Sequence, residues 1–511
     1  MCISSRTARA AIAAVAIAAV AAPAATAAPT SAPPGQAAKL TRGVTVGGIM
    51  EHLEAFQAIA DANDGTRAAG TPGYDASVDY VVQRLEAAGY DPVIQNFDFP
   101  YYEKVGPSSF SRTAPTPATF VEGVDFDTIS YSGSGTVAGT VQAVDLKLAD
   151  PGASTSGCEA ADFAGFTAGN IALLQRGTCT FEQKIENATA AGAIGAIIFN
   201  QGTPDRLGLL TNVTASTPRA IPVVTTSFTL GQQLAAPGTA VAITTNTISE
   251  IRQVANVIAD TPRGDDSKVV VVGAHLDSVV DGPGINDNAS GSGTILEVAE
   301  AMAAGNVRPR NTIRFAWWGA EEAGLVGSEF YVAGLSEEEL DDIALNLNFD
   351  MLASPNHARM VYDGDGSDTA IVGPPGSAQI EQVFLDYFER RGLATWPTEF
   401  SGRSDYGPFI AEGVDIPAGG LFSGAEQLKT PEQFALFGGV VGEQLDPCYH
   451  EPCDTIANID QTILDQMADA VAFATATFGF AKVPVTQVSS RPGKGKARAG
   501  DFDRNGPHFT R

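Results

Sequence analysis

Lys268-Val269-Val270-Val271-Val272-Gly273-Ala274-His275 is an apolar run that ends on a histidine. Two later stretches have a comparable form. Thr312-Ile313-Arg314-Phe315-Ala316-Trp317-Trp318 leads into Gly319-Ala320-Glu321-Glu322, and Leu345-Asn346-Leu347-Asn348-Phe349 leads into Asp350. Short apolar runs bounded by turn residues predict buried strands. The amphipathic stretch from Ala289 to Ala303 predicts a helix between the first two. Strands alternating with helices predict an α/β fold, a mostly parallel central sheet with helices on both faces. Parallel strands bring their C-terminal ends to one edge, where open α/β sheets bind ligands. His275, Glu321, Glu322 and Asp350 are therefore expected to converge on one cleft.

Upstream of this sheet the texture changes. From about Phe126 to Thr247, short Val/Ile/Thr-rich runs are broken by Gly, Pro and Ser, with one clear helix from Thr180 to Ala191, which predicts an inserted, mainly β domain. Within it, residues 170–177, the helix and residues 193–199 predict a strand, crossover helix, strand unit, with a further strand at Ile221-Pro222-Val223-Val224. Before the insert, Val44 to Ala62 and Ala76 to Ala88 carry helical periodicity around a Thr71-Pro72-Gly73 turn, and a short strand is expected from Pro92 to Phe99.

The beginning of the chain carries Arg6 and Arg9, an apolar run from Ala10 to Ala22, and the small-residue site Ala25-Thr26-Ala27. This reads as a signal peptide over residues 1–27, followed by a flexible linker over 28–43. The apolar run is too short for a membrane anchor and no later stretch of about 20 apolar residues occurs, so a secreted protein is expected, with no membrane partner. The segment 482–511 holds seven Lys/Arg and two Asp among Gly, Pro and Ser, and reads as a disordered basic tail. The folded parts are then 44–125 with 248–481, interrupted by 126–247.

The formal net charge of −28 falls to −30 without the two signal-peptide arginines, which argues against nucleic acid as a partner. Of five cysteines, Cys2 lies in the signal segment. The other four fall into two local pairs, Cys158 with Cys179 and Cys448 with Cys453. Disulfides are the simplest reading for an exported chain, and zinc coordination is the rival.

Histidine is scarce, with five in the chain. His52 falls in the first helix and reads as a partly exposed helix residue. His357 follows Ser354-Pro355-Asn356 and reads as a surface loop residue, and His508 lies in the tail. His275 closes a buried strand, with Asp277 placed to orient its imidazole by hydrogen bonding. His450 lies in Cys448-Tyr449-His450-Glu451-Pro452-Cys453, a loop that a disulfide would hold in one place. Imidazoles of His275 and His450 with carboxylates of Asp287, Glu322 and Asp350 make a donor set suited to zinc.

Five ordered segments carry a family resemblance. Ala274-His275-Leu276-Asp277-Ser278, the run from Gly284 to Gly291 around Asp287, the run from Trp318 to Ser328 around Glu321 and Glu322, Asn348-Phe349-Asp350-Met351, and Tyr449-His450 resemble the motifs of the M28 family of zinc peptidases. The segment Gly65-Thr66-Arg67-Ala68-Ala69-Gly70-Thr71-Pro72 joins them, and the likeness spans about Val44 to Ala481. The likeness extends to secreted actinobacterial aminopeptidases that carry such an insert. The insert resembles the protease-associated domain, which implies either a role in shaping access to the active site or a plain structural insert.

The resemblance implies two Zn²⁺ per chain. Asp287 would bridge them, His275 and Asp350 would complete one site, and Glu322 and His450 the other. Glu321 would be the general base toward a bridging water, with Tyr449 donating to the oxyanion and Arg403 lying near the substrate. An ion pair with Asp405 or another acid is the competing account of Arg403. Asp465 and Asp469, spaced i, i+4, resemble the acidic ligands by which some relatives bind Ca²⁺; a solvated acidic face is the alternative. The expected reaction is hydrolysis of the first peptide bond of a peptide or protein with a free amino end, preferring large apolar first residues such as Leu, by a monomer. A carboxypeptidase or cyclising transferase would keep the zinc chemistry and change the end attacked. A binding protein that had lost its metals would lack ligands or base, and none is missing here.

Overall fold

The computed structural model describes residues 34–485. The expected signal peptide and the tail beyond Val485 lie outside the described residues. The first sheet has eight strands in the order Val93–Lys104, Thr247–Asp260, Ile313–Trp318, Val269–His275, Ile343–Phe349, Ala418–Phe422, Met360–Tyr362 and Trp396–Thr398. Its middle four strands are mutually parallel, and antiparallel pairs flank them. Alternation along a strand sorts the side chains. Val270 and Val272 point to one face, where they join Ile49, Leu53, Ile295, Leu296, Met467 and Val471 from covering helices. Val269 and Val271 point to the other, against Trp318, Tyr331 and Phe409. The α/β architecture expected from the apolar runs is present.

Local sequence sets the helices on the first face. Thr45 caps the helix Val46–Ala62 by accepting the Gly48 amide at 3.0 Å. Pro72 opens the helix Pro72–Ala88, and Gly89, at φ 89°, closes it. The helix Ser290–Ala304 follows the first parallel strand and carries an almost wholly buried face.

The second sheet also has eight strands, ordered Ala118–Phe120, Ser109–Ala114, Ala240–Thr245, Gly135–Ala143, Ile171–Gln175, Gly195–Phe199, Val223–Thr226 and Phe126–Thr128. The expected strand, helix, strand unit is there, with Phe181–Ala190 as the helix and Thr180 as its N-cap. Both disulfides form in the expected pairing, Cys158 with Cys179 and Cys448 with Cys453.

Four boundaries differ from expectation. Residues 34–43, expected as linker, form the helix Pro34–Gly43, because Leu40 is buried in the main core. The insert begins earlier than residue 126, since Ser109–Ala114 pairs with Ala240–Thr245 and buries Phe110 against Phe126. The strand expected to end at Phe99 runs on to Lys104, pairing residue by residue with Thr247–Asp260, so the chain leaves for the insert at Lys104 and returns opposite it at Thr247. Residues 482–485, expected as the start of the tail, belong to the described fold, and Val485 is buried in the core.

Candidate metal centre and active site

The C-terminal ends of the parallel strands open on a cleft of about 790 Å³. His275 is the last residue of its strand, and its imidazole is 1% exposed. Its Nδ1 lies 3.1 Å from the Asp277 carbonyl and 3.7 Å from the Asp277 carboxylate. The main chain of Asp277 thus orients the ring more closely than its side chain does. That carboxylate instead accepts the backbone N–H groups of Glu321 at 3.2 Å and Glu322 at 3.4 Å. These two glutamates sit in a turn after the strand Ile313–Trp318, with Ala320 at φ 56°, which is how neighbours in sequence both reach the cleft.

The outer nitrogen of His275 faces Asp287 Oδ1 at 3.2 Å and Asp350 Oδ1 at 3.3 Å. The other oxygen of Asp287 lies 3.2 Å from His450 Nε2, which is also 3.0 Å from Glu322 Oε2. Asp287 therefore stands between the two imidazoles, one oxygen toward each. Glu321 Oε2 is 4.0 Å from His275 Nε2, beyond either imidazole's nearest carboxylates.

The segment 284–288 holds this arrangement through its neighbours. Gly284 has φ 61°, and a Cβ there would stand 2.3 Å from the Asp287 carbonyl, so only glycine fits. Buried Asp454 accepts the amides of Asn286 and Asp287, both at 2.9 Å, and Asp446 accepts Asn286 Nδ2 at 2.6 Å. Asn288 Oδ1 accepts the Met351 amide at 3.1 Å, while Ser404 donates to Asp350 Oδ2 at 2.6 Å. Arg67 is fully buried and gives three hydrogen bonds to carbonyls of the loop after His275: Pro283 at 2.8 Å, Leu276 at 2.6 Å and Gly284 at 2.6 Å. The motif containing Arg67 was visible in sequence, but its anchoring role had no sequence signal.

The electrostatics are those of a cation site. Burial pushes the carboxyls of Glu321 and Glu322 up, opposed by His275 and His450 respectively. Burial also pushes Asp287 up, but the two imidazoles outweigh it and hold that group below the usual carboxylate range. Burial lowers His450, yet Glu322 and Asp287 raise it to about 11, and Asp350 and Glu321 likewise carry His275 well above its ordinary value. Glu322 Oε1 is buried with no hydrogen-bond partner. Excess carboxylate, paired imidazoles and an orphaned buried oxygen fit divalent metal of the zinc type. Potential ligand atoms of His275, Asp287 and Glu322 lie within 4.8 Å of one another, as do those of His275, Glu321 and Asp350.

Tyr449 stacks on the His450 ring at 3.8 Å, and its hydroxyl is 3.3 Å from Arg403 Nη2. Arg403 forms its ion pair with Glu426, while Asp405 is buried with neither carboxylate oxygen hydrogen-bonded. Met360, Trp396, Phe422 and Leu445 form apolar walls in the same cleft.

Other sequence expectations fall outside it. Asp465 is exposed, Asp469 lies 3.9 Å from Arg391, and no third ligand accompanies them among the described residues. His52 is fully buried rather than partly exposed, because it shares the inward face of its helix with Ile49, Leu53 and Phe56. His357 is half-buried rather than on the surface, with Nδ1 3.6 Å from Asp460 and its ring beside Phe437.

The sequence pattern of peptidase family M28 matches residues 256–475, and that of the PA domain matches residues 139–234. An aminopeptidase of Pseudomonas aeruginosa is 48% identical over 477 residues, covering 92% of this chain and 88% of that one. Leucine aminopeptidase 2 of Trichophyton tonsurans is 40% identical over 466 residues, covering 88% of this chain and 89% of that one. Among solved structures, the aminopeptidase from Aneurinibacillus sp. strain AM-1 shares the fold, with a TM-score of 0.60 at 24% identity over 88% of this chain and 97% of that one. With both patterns present and close similarity to aminopeptidases over nearly its full length, the chain belongs to peptidase family M28, as a metallo-aminopeptidase carrying a PA domain.

Proposed function

We propose that the chain is an exported two-zinc aminopeptidase that removes large apolar residues from the free amino end of peptides and proteins, with Glu321 as general base. The observation that carries the reading is Asp287, whose two oxygens face His275 and His450 at 3.2 Å each. His275, Asp287 and Asp350 would hold one ion, and Asp287, Glu322 and His450 the other. When bound, such a pair polarises the scissile carbonyl and lowers the pKa of water.

The chain's own groups supply the rest. Glu321, its backbone fixed by Asp277, takes the proton of the attacking water and returns it to the leaving nitrogen. Tyr449, whose phenol burial holds in the protonated state, donates to the developing oxyanion. Arg403 positions that hydroxyl and is itself held by Glu426. Among the described residues, Arg403 is the sole Lys or Arg lining the cleft and is already paired, which favours a substrate's amino end over its carboxylate. The apolar walls suit a leucine-like side chain. Two disulfides and the expected signal peptide support export. No helix among the described residues is long and apolar enough to cross a membrane.

Hydrolysis of leucine p-nitroanilide tests the reading. Activity is expected to vanish on metal stripping and return with zinc, and Glu321→Ala is expected to lose about 10³-fold or more in kcat while still binding zinc. Full activity of that variant, or equal turnover of amino-blocked peptides, would refute the proposal.

A further inference from the structure

Away from the cleft, three helices meet over a second set of metal-ligand side chains. His52 comes from Val46–Ala62, Tyr80 and Arg84 from Pro72–Ala88, and Glu297 and Glu300 from Ser290–Ala304. Spaced i, i+3, the two glutamates share a helix face. The His52 ring is fully buried, with Nδ1 at 2.8 Å from the Tyr80 hydroxyl. Its other nitrogen has no hydrogen-bond partner and points between Glu297 Oε2 at 3.8 Å and Glu300 Oε2 at 3.9 Å.

The carboxylates are held from outside. The backbone and hydroxyl of Thr45 donate to Glu297 Oε1 at 3.2 and 3.3 Å, and Arg84 donates to both oxygens of Glu300 at 2.6 Å each. Gly48 makes the approach possible, since a Cβ there would stand 2.2 Å from Glu297 Oε1. Outer hydrogen bonds of this kind are what ligating imidazoles and carboxylates ordinarily have.

An ion pair does not explain the cluster. Separations of 3.8 and 3.9 Å are too long for hydrogen bonds. Arg84 already donates to both oxygens of Glu300, whereas Glu297 Oε2 and His52 Nε2 face each other across a gap of 3.8 Å. One ligand atom from each of the three residues lies within 4.8 Å of the others.

We propose that His52, Glu297 and Glu300 form a further divalent-cation site, separate from the cleft and suited to zinc. One imidazole and two carboxylates are a zinc-type donor set, and the exposed rims of Glu297 and Glu300, 12% and 20% accessible, leave room for a water as fourth ligand. Bonds of about 2.1 Å in tetrahedral array place ligand atoms about 3.4 Å apart, so the two gaps between His52 and the glutamates, 3.8 and 3.9 Å, need to close by about half an ångström. The ion ties the helix Val46–Ala62 to the helix that starts three residues after Asp287, and its role is structural.

The test counts zinc with the cleft removed. A chain carrying His275→Ala, Asp287→Asn and His450→Ala is loaded with zinc, desalted and analysed by mass spectrometry for metal. One zinc per chain is expected, falling to none when His52→Gln or Glu297→Gln is added. Zinc should raise the melting temperature of the cleft-deficient chain and not of its His52→Gln derivative. Zinc-soaked crystals of the unsubstituted protein, recorded at the zinc edge, should show anomalous density between His52 Nε2 and the two glutamates. No zinc retained by the cleft-deficient chain, retention indifferent to His52→Gln, or water alone at that position would each overturn the proposal. Because the cleft is disabled, the outcome is independent of the proposed catalytic metals.

Discussion

Replacing Arg67 by methionine keeps much of the side-chain volume and removes three buried hydrogen bonds to the loop between His275 and Asp287. Hydrogen bonds from a charged donor contribute about 1.5–3 kcal/mol each, so the gross loss is about 5–9 kcal/mol. Against this stands the cost of burying the guanidinium, which Asp277, Asp454 and Asp287 offset only in part; the pKa is still lowered from 12.5 to about 10, a net of about 3 kcal/mol at about 1.4 kcal/mol per pKa unit. The net expectation is a destabilisation of about 4 kcal/mol, in the range found when one partner of a buried polar network is removed. Thermal unfolding followed by circular dichroism should show a melting temperature lower by about 5 °C. Arg67→Lys should recover less than half of the loss, since one ammonium cannot span carbonyls of Leu276, Pro283 and Gly284 in the same geometry. A methionine variant within about 1 kcal/mol of the wild type, or a lysine variant that restores it fully, would refute the anchoring argument.

Replacing both Cys448 and Cys453 by serine opens a loop of sequence separation 5 around His450, which loosens it by about 2 kcal/mol. Zinc affinity measured by chelator competition should fall by up to about 30-fold, and unchanged affinity would mean that the hydrogen bonds flanking Tyr449 suffice. Trp396→Ala should lower kcat/KM for leucine substrates by about tenfold more than for alanine substrates, and an equal fall for both would remove Trp396 from the pocket wall. Burial raises Glu381 from 4.5 to about 7. A raised carboxyl contributes stability present below 4.5 and lost as pH rises through about 7. Urea unfolding of Glu381→Gln should therefore show a gain over wild type that grows from pH 4.5 to 7; a constant difference would refute the shift.

Much of the cleft was legible because strand ends are a sequence-local signal. His275 and Asp350 stand at the end of an apolar run, Glu321 and Glu322 a short turn beyond one, and parallel pairing does the rest. What was not legible depends on distant backbone. Arg67 reads carbonyls more than 200 residues away, and Asp454 caps amides at Asn286 and Asp287. The left-handed backbone at Ala320, Met351 and His450, at φ 56°, 53° and 58°, costs about 1 kcal/mol each and has no glycine to announce it. His52 is the opposite case. Its spacing from Ile49, Leu53 and Phe56 places it on the buried face, where position outweighs the polar character of the residue. The early start of the insert was hidden for another reason: Ser109–Ala114 finds its partner only after more than a hundred intervening residues.

The ribbon formed by Val93–Lys104 and Thr247–Asp260 gives the PA-bearing insert the attachment of a graft. Lys104 and Thr247 are partners across the ribbon, so the peptidase sheet would be topologically unbroken if a tight hairpin joined them directly. Evolution could therefore add, exchange or discard the whole insert without re-registering a single strand beneath it. For the same reason, the paired strands are the direct hydrogen-bonded path by which a bend or twist of the insert reaches the peptidase sheet.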